Sequence, residues 1–183
     1  GIDGVSIVPG SVHLTPFNMC PEPLWHASEG GMRDFLAEAS GGFDLTLIDC
    51  PPNLHLCSWA ALSASDAVVV PLQAEDYGAQ GLGPVRESVG AVRARTNPGL
   101  RLLGYLLTMF DKRLAIHLAY EGHLRALYGT DVFAAPIPLA KDFKEAVAAR
   151  QPISHYKPKS AAAMATKAVA DELLARVDAA RAS

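Results

Sequence analysis

Residues 43–52 have the sequence FDLTLIDCPP. An apolar run at residues 45–48 is followed by Asp49, and two prolines come directly after Cys50. A continuous apolar run of this kind is typical of a strand that is buried on both faces. Proline lacks the N–H that a central strand needs, so the pair stops the sheet. We therefore predict a buried strand that ends in an acidic side chain at the carboxyl edge of a sheet.

The rest of the chain alternates between short apolar runs and segments with helical spacing. We predict strands at residues 5–8, 67–72, 102–109 and 132–135, and helices at residues 24–39, 54–64, 82–92, 114–127, 142–150 and 161–180. Alternation of buried strands with helices favours a parallel sheet covered on both faces. The predicted fold class is α/β, with a doubly wound, mostly parallel sheet. We expect residues 1–183 to form a single domain.

Composition narrows the class of protein further. The chain has 183 residues, half of them hydrophobic, and a formal net charge of −3. A protein that binds nucleic acid with its whole surface is normally basic, so any DNA contact must be local. No apolar run is long enough to cross a bilayer, and we expect a cytoplasmic protein that binds no membrane. Three cysteines without paired spacing favour reduced thiols, and the six histidines lack the spacing of a zinc site.

Asp49 is the candidate functional residue of this segment. In P-loop NTPases an aspartate at this place holds Mg²⁺ beside the β- and γ-phosphates of the nucleotide, usually through water. The alternative is that Asp49 only caps a helix that starts near Leu54, which is also common in α/β folds. The glycines at 78, 81 and 83 are in the wrong order for a dinucleotide-binding loop, so we interpret them as a helix start.

Residues 44–76 carry a resemblance that bears on this choice. They contain a strand ending in IDxPP and a helix with an Ala-Leu pair. The next strand follows an AD-V-P-Q-E pattern, whose positions are Ser65-Asp66, Pro71, Gln73 and Glu75 in this chain. Further matches follow in order: a Tyr and Gly-Leu at residues 77–82, LTMFD at residues 107–111, PIP at residues 136–138 and QPI…YKPKS at residues 151–160. The chain resembles the ParA/Soj-type deviant-Walker partition ATPases of the MinD superfamily, and the resemblance covers residues 43–160.

The resemblance implies a nucleotide site and a function. Asp49 is then the Walker B acid that holds Mg²⁺ through water, and Thr108, Met109 and Pro138 border the adenine of ATP. Two subunits sandwich ATP, and the homodimer binds DNA without sequence preference and meets a ParB-type partner. The implied function is ATP-dependent partitioning of a chromosome or plasmid, with the protein on the nucleoid. The implied contacts to DNA phosphates are basic residues toward the C-terminal end: Lys141, Lys144, Arg150, Lys157 and Lys159.

The departures from the family pattern are as informative as the matches. No Gly-Lys pair occurs in the chain, so the KGGxGKT phosphate loop is absent, and no counterpart of the switch aspartate is found. Ala140 and Ala161 stand where the family has Asn and Arg. We expect an N-terminally truncated ATPase domain that is inactive alone. The alternatives are a non-catalytic remnant acting as an interaction module, a relative that positions a non-DNA cargo, and basic residues that are merely solvated.

Overall fold

The computed structural model of the protein describes residues 2–18, 30–51, 55–74 and 79–182. The chain divides into two compact units. The first unit consists of Gly1–Ser65 and Ser88–Leu100, and the second consists of Asp66–Glu87 and Arg101–Ser183.

The first unit is built around helix α3 (Leu56–Ala64). Trp59, Ala60 and Ala61 of α3 are buried, which suits a helix rich in small and apolar residues. The Asn97 side-chain amide donates to the Leu62 carbonyl at 3.0 Å and to the Ser65 carbonyl at 2.7 Å, so it satisfies acceptors at the carboxyl end of the helix. The other elements of this unit are a 3₁₀ turn (Val12–Leu14), α1 (Thr15–Asn18), α2 (Gly31–Ala39) and a 3₁₀ turn (Ser40–Gly42).

The second unit holds a parallel sheet. Strands β1 (Ala67–Gln73) and β2 (Arg101–Thr108) pair in parallel, with an irregularity between Val68 and Val69. On the other side of β2, Val132 and Pro138 make single parallel bridges to Tyr105 and Phe110. The segment around residues 132–138 therefore runs beside β2 and the residues after it, without forming a regular strand. The buried core of this unit consists of Val70, Ala74, Leu82, Tyr105, Leu107, Phe110, Leu124 and Val132.

Helices follow each strand of the second unit. They are α4 (Ala79–Arg95), which continues into the first unit, α5 (Ala115–Tyr128), α6 (Lys141–Ala148), α7 (Ile153–Tyr156) and α8 (Ala161–Arg181), with a 3₁₀ turn at Gly129–Asp131. Helix α8 begins at a serine cap, where Ser160 Oγ accepts from the Ala163 N–H at 3.1 Å. It is held to the sheet by Arg176, whose guanidinium donates to the Leu103 carbonyl at 2.6 Å and the Thr130 carbonyl at 2.8 Å.

The α/β class with a parallel sheet is confirmed. Strands β1 and β2 lie where residues 67–72 and 102–109 predicted them, and α4, α5 and α8 cover the helices predicted at residues 82–92, 114–127 and 161–180. The Val68–Val70 run explains the first strand, because β-branched side chains favour extended backbone in a packed sheet.

The predicted strands at residues 5–8 and 45–48 are wrong. The structure describes both segments and forms no strand in either, and Ile7 and Leu47 are 82% and 75% exposed. A strand exists only where a neighbour supplies ladder hydrogen bonds, and these apolar runs pair with no other described segment.

Three other boundaries also differ from the prediction. Helix α2 begins at Gly31, with Gly30 as its N-cap, so it starts later than the predicted helix at residues 24–39. The first part of the predicted helix, residues 24–29, lies outside the described residues, as does residue 54 of the next one. The strand predicted at residues 132–135 is reduced to the bridge at Val132. Helix α6 ends at Ala148, and Arg150 adopts a positive φ of 54°, which the helix cannot accommodate.

Candidate functional site

The loop that follows β2 lies at the carboxyl edge of the sheet, where parallel α/β folds bind ligands. Thr108 closes the strand, and its Oγ1 donates to the Leu72 carbonyl of β1 at 3.2 Å. Met109 comes next with a φ of 51°, the left-handed region that non-glycine residues rarely enter, and it is 51% exposed. Such backbone strain persists where surrounding contacts hold it, and it concentrates at binding sites.

The neighbouring segment holds this loop from one side. The Ile137 N–H donates to the Leu107 carbonyl at 2.8 Å, the Phe110 N–H donates to the Ile137 carbonyl at 3.0 Å, and the Leu139 N–H donates to the Phe110 carbonyl at 2.9 Å. Pro138 thus pairs directly with Phe110. The structure brings together Thr108, Met109 and Pro138, the three residues predicted to border adenine, at one edge of the second unit.

An ion pair closes the loop on its other side. The Arg113 guanidinium donates to both oxygens of Asp111, at 2.9 Å from Nε to Oδ1 and 2.6 Å from Nη2 to Oδ2. These hydrogen bonds, followed by the one from the Arg113 backbone N–H, hold the pKa of the Asp111 carboxyl well below its usual range. Asp111 is therefore ionised at neutral pH, and its backbone N–H donates to His117 Nδ1 at 3.0 Å.

Arg113 and His117 were not predicted from the sequence. Each acts through a short contact with Asp111, two and six residues away along the chain. No sequence motif indicates these contacts, because they form only through the conformation of the turn between β2 and α5.

Asp49 lies in the first unit and its side chain is exposed. The N-cap of α3 is His55, so the alternative that Asp49 caps this helix is wrong. The carboxylate is left without that structural role. The four predicted nucleotide residues are thus divided between the two units, with Asp49 in the first and the other three in the second.

Cys50, the residue after Asp49, is exposed, although neighbouring protein atoms partly desolvate its thiol. This desolvation raises the pKa of the Cys50 thiol, and nearby Asp49 and Cys57 add to the effect. A thiol that stays protonated is a poor nucleophile, so nothing marks Cys50 as a reactive group.

The predicted DNA-binding residues separate into two groups. Lys157 Nζ donates to Asp142 Oδ1 at 2.8 Å and to Glu145 Oε2 at 2.6 Å, so two carboxylates compensate its charge. Their hydrogen bonds, Asp142 first, raise the pKa of Lys157, and the same contact lowers the pKa of Glu145. Lys141 lies 3.7 Å from Glu145 Oε1. Lys144, Arg150 and Lys159 are exposed, and no ion pair joins them to another described residue.

Within residues 2–18, 30–51, 55–74 and 79–182, no group of three or more His, Cys, Asp or Glu side chains could hold a metal ion. Across the same part of the chain, no helix combines the length and hydrophobicity needed to cross a membrane.

Comparison with known proteins gives the family. The AAA_31 family, described as an AAA domain, matches residues 2–102. The chromosome-partitioning ATPase Soj of Thermus thermophilus is 41% identical over 176 residues, which are 96% of this chain and 68% of that protein. The chain belongs to the ParA/Soj family of partition ATPases. The chromosome partitioning protein ParA of Caulobacter vibrioides is 35% identical over 147 residues, 79% of this chain and 55% of that protein.

A solved structure extends the comparison to the fold. Cobyrinic acid a,c-diamide synthase from Mycobacterium smegmatis, with bound ADP and magnesium, is 33% identical and superposes with a TM-score of 0.65, over 80% of this chain and 52% of that one. The ParA-like chain thus shares its fold with an enzyme that binds a nucleotide and Mg²⁺. It spans between about half and two thirds of the length of these relatives.

Proposed function

We propose that this ParA-like chain carries the magnesium acid and the adenine-side loop of an ATPase that partitions a chromosome or plasmid. The observation that carries the proposal is the strained, exposed Met109 loop, held against Pro138 at the carboxyl edge of the sheet. A loop fixed in this way offers apolar surface and backbone groups to a planar base at the place where parallel sheets bind ligands.

The residues present fit one part of a Mg·ATP site. Mg²⁺ is commonly held by one or two carboxylates together with phosphate oxygens and water, and Asp49 offers one exposed carboxylate with no capping role. Bound Mg²⁺ would neutralise the charge that develops on the phosphates during transfer. The fit does not extend to the phosphates, because the chain has no Gly-Lys pair from which a phosphate loop could be built.

We therefore propose that residues 1–183 belong to one ATPase domain whose phosphate loop is supplied by a further segment. Exposed apolar side chains support this proposal: Ile7, Val8 and Leu47 are 82%, 73% and 75% exposed. Such runs in an α/β protein are stable only when another strand covers them. A neighbouring strand that carries the phosphate loop would pair with them and complete the site.

DNA and partner binding follow from the same proposal. Lys144, Arg150 and Lys159 are the cations available to DNA phosphates, whereas Lys157 is held by Asp142 and Glu145. With a net charge of −3, such a surface binds DNA weakly as a monomer, and a homodimer doubles the number of contacts. A ParB-type partner and a cytoplasmic, nucleoid-associated location complete the proposed role.

A non-catalytic interaction module is the second candidate, favoured by the absence of any Gly-Lys pair. The coding sequence upstream of residue 1 separates the two. An in-frame KGGxGKT segment supports the enzyme, and the longer protein should then hydrolyse ATP and lose this activity in Asp49→Ala. Asp178→Ala is the matched control, since it removes an exposed acid on α8, far along the chain from the site. A stop codon or an unrelated upstream sequence, or full ATPase activity in Asp49→Ala, would contradict the proposal.

A further inference from the structure

His117 is the most completely buried histidine of the second unit, with 1% of its surface exposed. It lies in the first turn of α5, and its ring packs against Phe110 with a centroid separation of 5.8 Å. The Asp111 backbone N–H donates to His117 Nδ1 at 3.0 Å. A backbone N–H can only donate, so Nδ1 must carry a lone pair, and the neutral ring carries its proton on Nε2.

This hydrogen bond completes the support of the Met109 loop. Phe110 is fixed through both its N–H and its carbonyl by residues 137 and 139, and Asp111 is fixed through its N–H by His117. Met109 lies directly before these two residues and keeps a left-handed backbone. A strained conformation needs such over-determined surroundings, and His117 adds a side-chain hydrogen bond from α5 to this support.

We propose that His117 is a positioning residue that fixes the Met109 loop for the adenine of a bound nucleotide, through the lone pair on Nδ1. The adenine part of this inference rests on the proposed function, whereas the loop part rests on the hydrogen bond alone. His117 touches no reacting group. It sets the backbone of residues 109–111, to which the base would bind.

The ion pair between Asp111 and Arg113 does not perform the same task. It fixes the Asp111 carboxylate and the Arg113 backbone N–H, and it leaves the Asp111 N–H to His117. If His117 were only a filler of the core, an aromatic ring of similar size would replace it without consequence.

Two variants of the 183-residue chain separate these roles. His117→Asn places an amide oxygen about where Nδ1 lies and so keeps an acceptor. His117→Phe keeps a buried ring and removes the acceptor. The first measurement is made on the unmodified chain: ¹⁵N NMR should show an unprotonated Nδ1, a protonated Nε2 and a scalar coupling between Nδ1 and the Asp111 amide nitrogen. A protonated Nδ1, or the absence of this coupling, overturns the inference without reference to either variant.

The second measurement is hydrogen exchange of the Asp111 amide. Loss of one buried hydrogen bond should speed exchange about five- to tenfold in His117→Phe, and His117→Asn should restore most of the protection. Equal protection in His117→Phe and the unmodified chain would show that the ring only fills space.

The third measurement is a titration with adenosine, followed by the amide signals of residues 109–111. We expect adenosine, but not guanosine, to shift these signals in the unmodified chain and in His117→Asn, and to shift them much less in His117→Phe. Equal shifts in all three proteins would refute the positioning role. If adenosine moves no signal while the coupling is present, the adenine site is refuted and the hold of His117 on the loop stands.

Discussion

Gly104 offers the sharpest test of the packing that supports the candidate site. It lies buried in β2 with a φ of +143°, a backbone conformation that residues other than glycine rarely adopt. A Cβ added there would overlap the Asp131 carbonyl oxygen and would lie 2.8 Å from Arg176 Nη1. The same guanidinium donates to the Leu103, Thr130 and Val132 carbonyls and pairs with Glu172. Gly104→Ala therefore strains the strand and displaces the contact that holds α8 to the sheet.

The expected cost of Gly104→Ala follows from these two effects. The strained backbone costs about 1–3 kcal/mol. Loss of one hydrogen bond from the charged guanidinium costs a further amount of about 1.5–3 kcal/mol. We expect the free energy of unfolding to fall by about 2.5–6 kcal/mol, a large part of the roughly 5–15 kcal/mol that a typical domain has.

Urea denaturation measures this loss, and Gly122→Ala is the matched control. Gly122 lies in α5 and an added Cβ there meets no atom within 4 Å, so the same substitution should stabilise the helix by about 0.5–1 kcal/mol. If Gly104→Ala does not fold, Arg176→Met tests the contact alone and should cost about 1.5–3 kcal/mol. Wild-type stability in Gly104→Ala, or equal effects at both glycines, would refute the reasoning.

Three further predictions concern the loop and the basic surface. Met109→Gly should raise the free energy of unfolding by about 0.5–1 kcal/mol in urea titrations, because glycine relieves the left-handed strain, whereas Met164→Gly in α8 should lower it by about 1 kcal/mol. Lys157 lowers the pKa of Glu145, so the ion pair stabilises the folded state above pH 4.5, the ordinary pKa of the carboxyl, and this stabilisation is lost as the pH falls below that value. The free energy of unfolding should therefore depend less on pH across this range in Lys157→Met than in the unmodified chain. An unchanged pH dependence would contradict the ion pair. DNA affinity can be measured by filter binding over a range of salt concentrations. The slope of log affinity against log salt should fall in magnitude by about 0.9 in each of three variants, Lys144→Ala, Arg150→Ala and Lys159→Ala, and should stay unchanged in Lys157→Ala. The opposite ranking would contradict the proposed DNA surface.

Much of the second unit could be predicted because its signals are local. Three consecutive valines mark β1, and leucines at helical spacing along residues 114–127 mark α5. Of these leucines Leu124 is buried, whereas the others are exposed. The structure also pairs Pro138 with Phe110, the residue that follows Met109. The left-handed backbone of Met109 could not be predicted, because methionine carries no preference for it.

The errors come from features that depend on partners. Residues 45–48 have the apolar pattern of a central strand, yet the Leu47 side chain is exposed. An apolar pattern predicts burial, but it does not show whether a neighbouring strand is present to pair with the segment. Lys157 looked like an available cation, but Asp142 and Glu145 lie 15 and 12 residues before it and reach it only through the turn between α6 and α7. The proposed role of His117 likewise depends on a contact across a turn, the hydrogen bond from the Asp111 N–H to Nδ1.

The most direct test of the account is calorimetric titration of Mg·ATP into the purified 183-residue chain and into Asp49→Ala. A chain that carries the proposed magnesium acid and adenine-side loop but no Gly-Lys phosphate loop should show no binding in the micromolar range in either protein. Micromolar binding by the unmodified chain that is lost in Asp49→Ala would contradict the account, because it would mean that the chain holds the phosphates with residues other than a Gly-Lys loop.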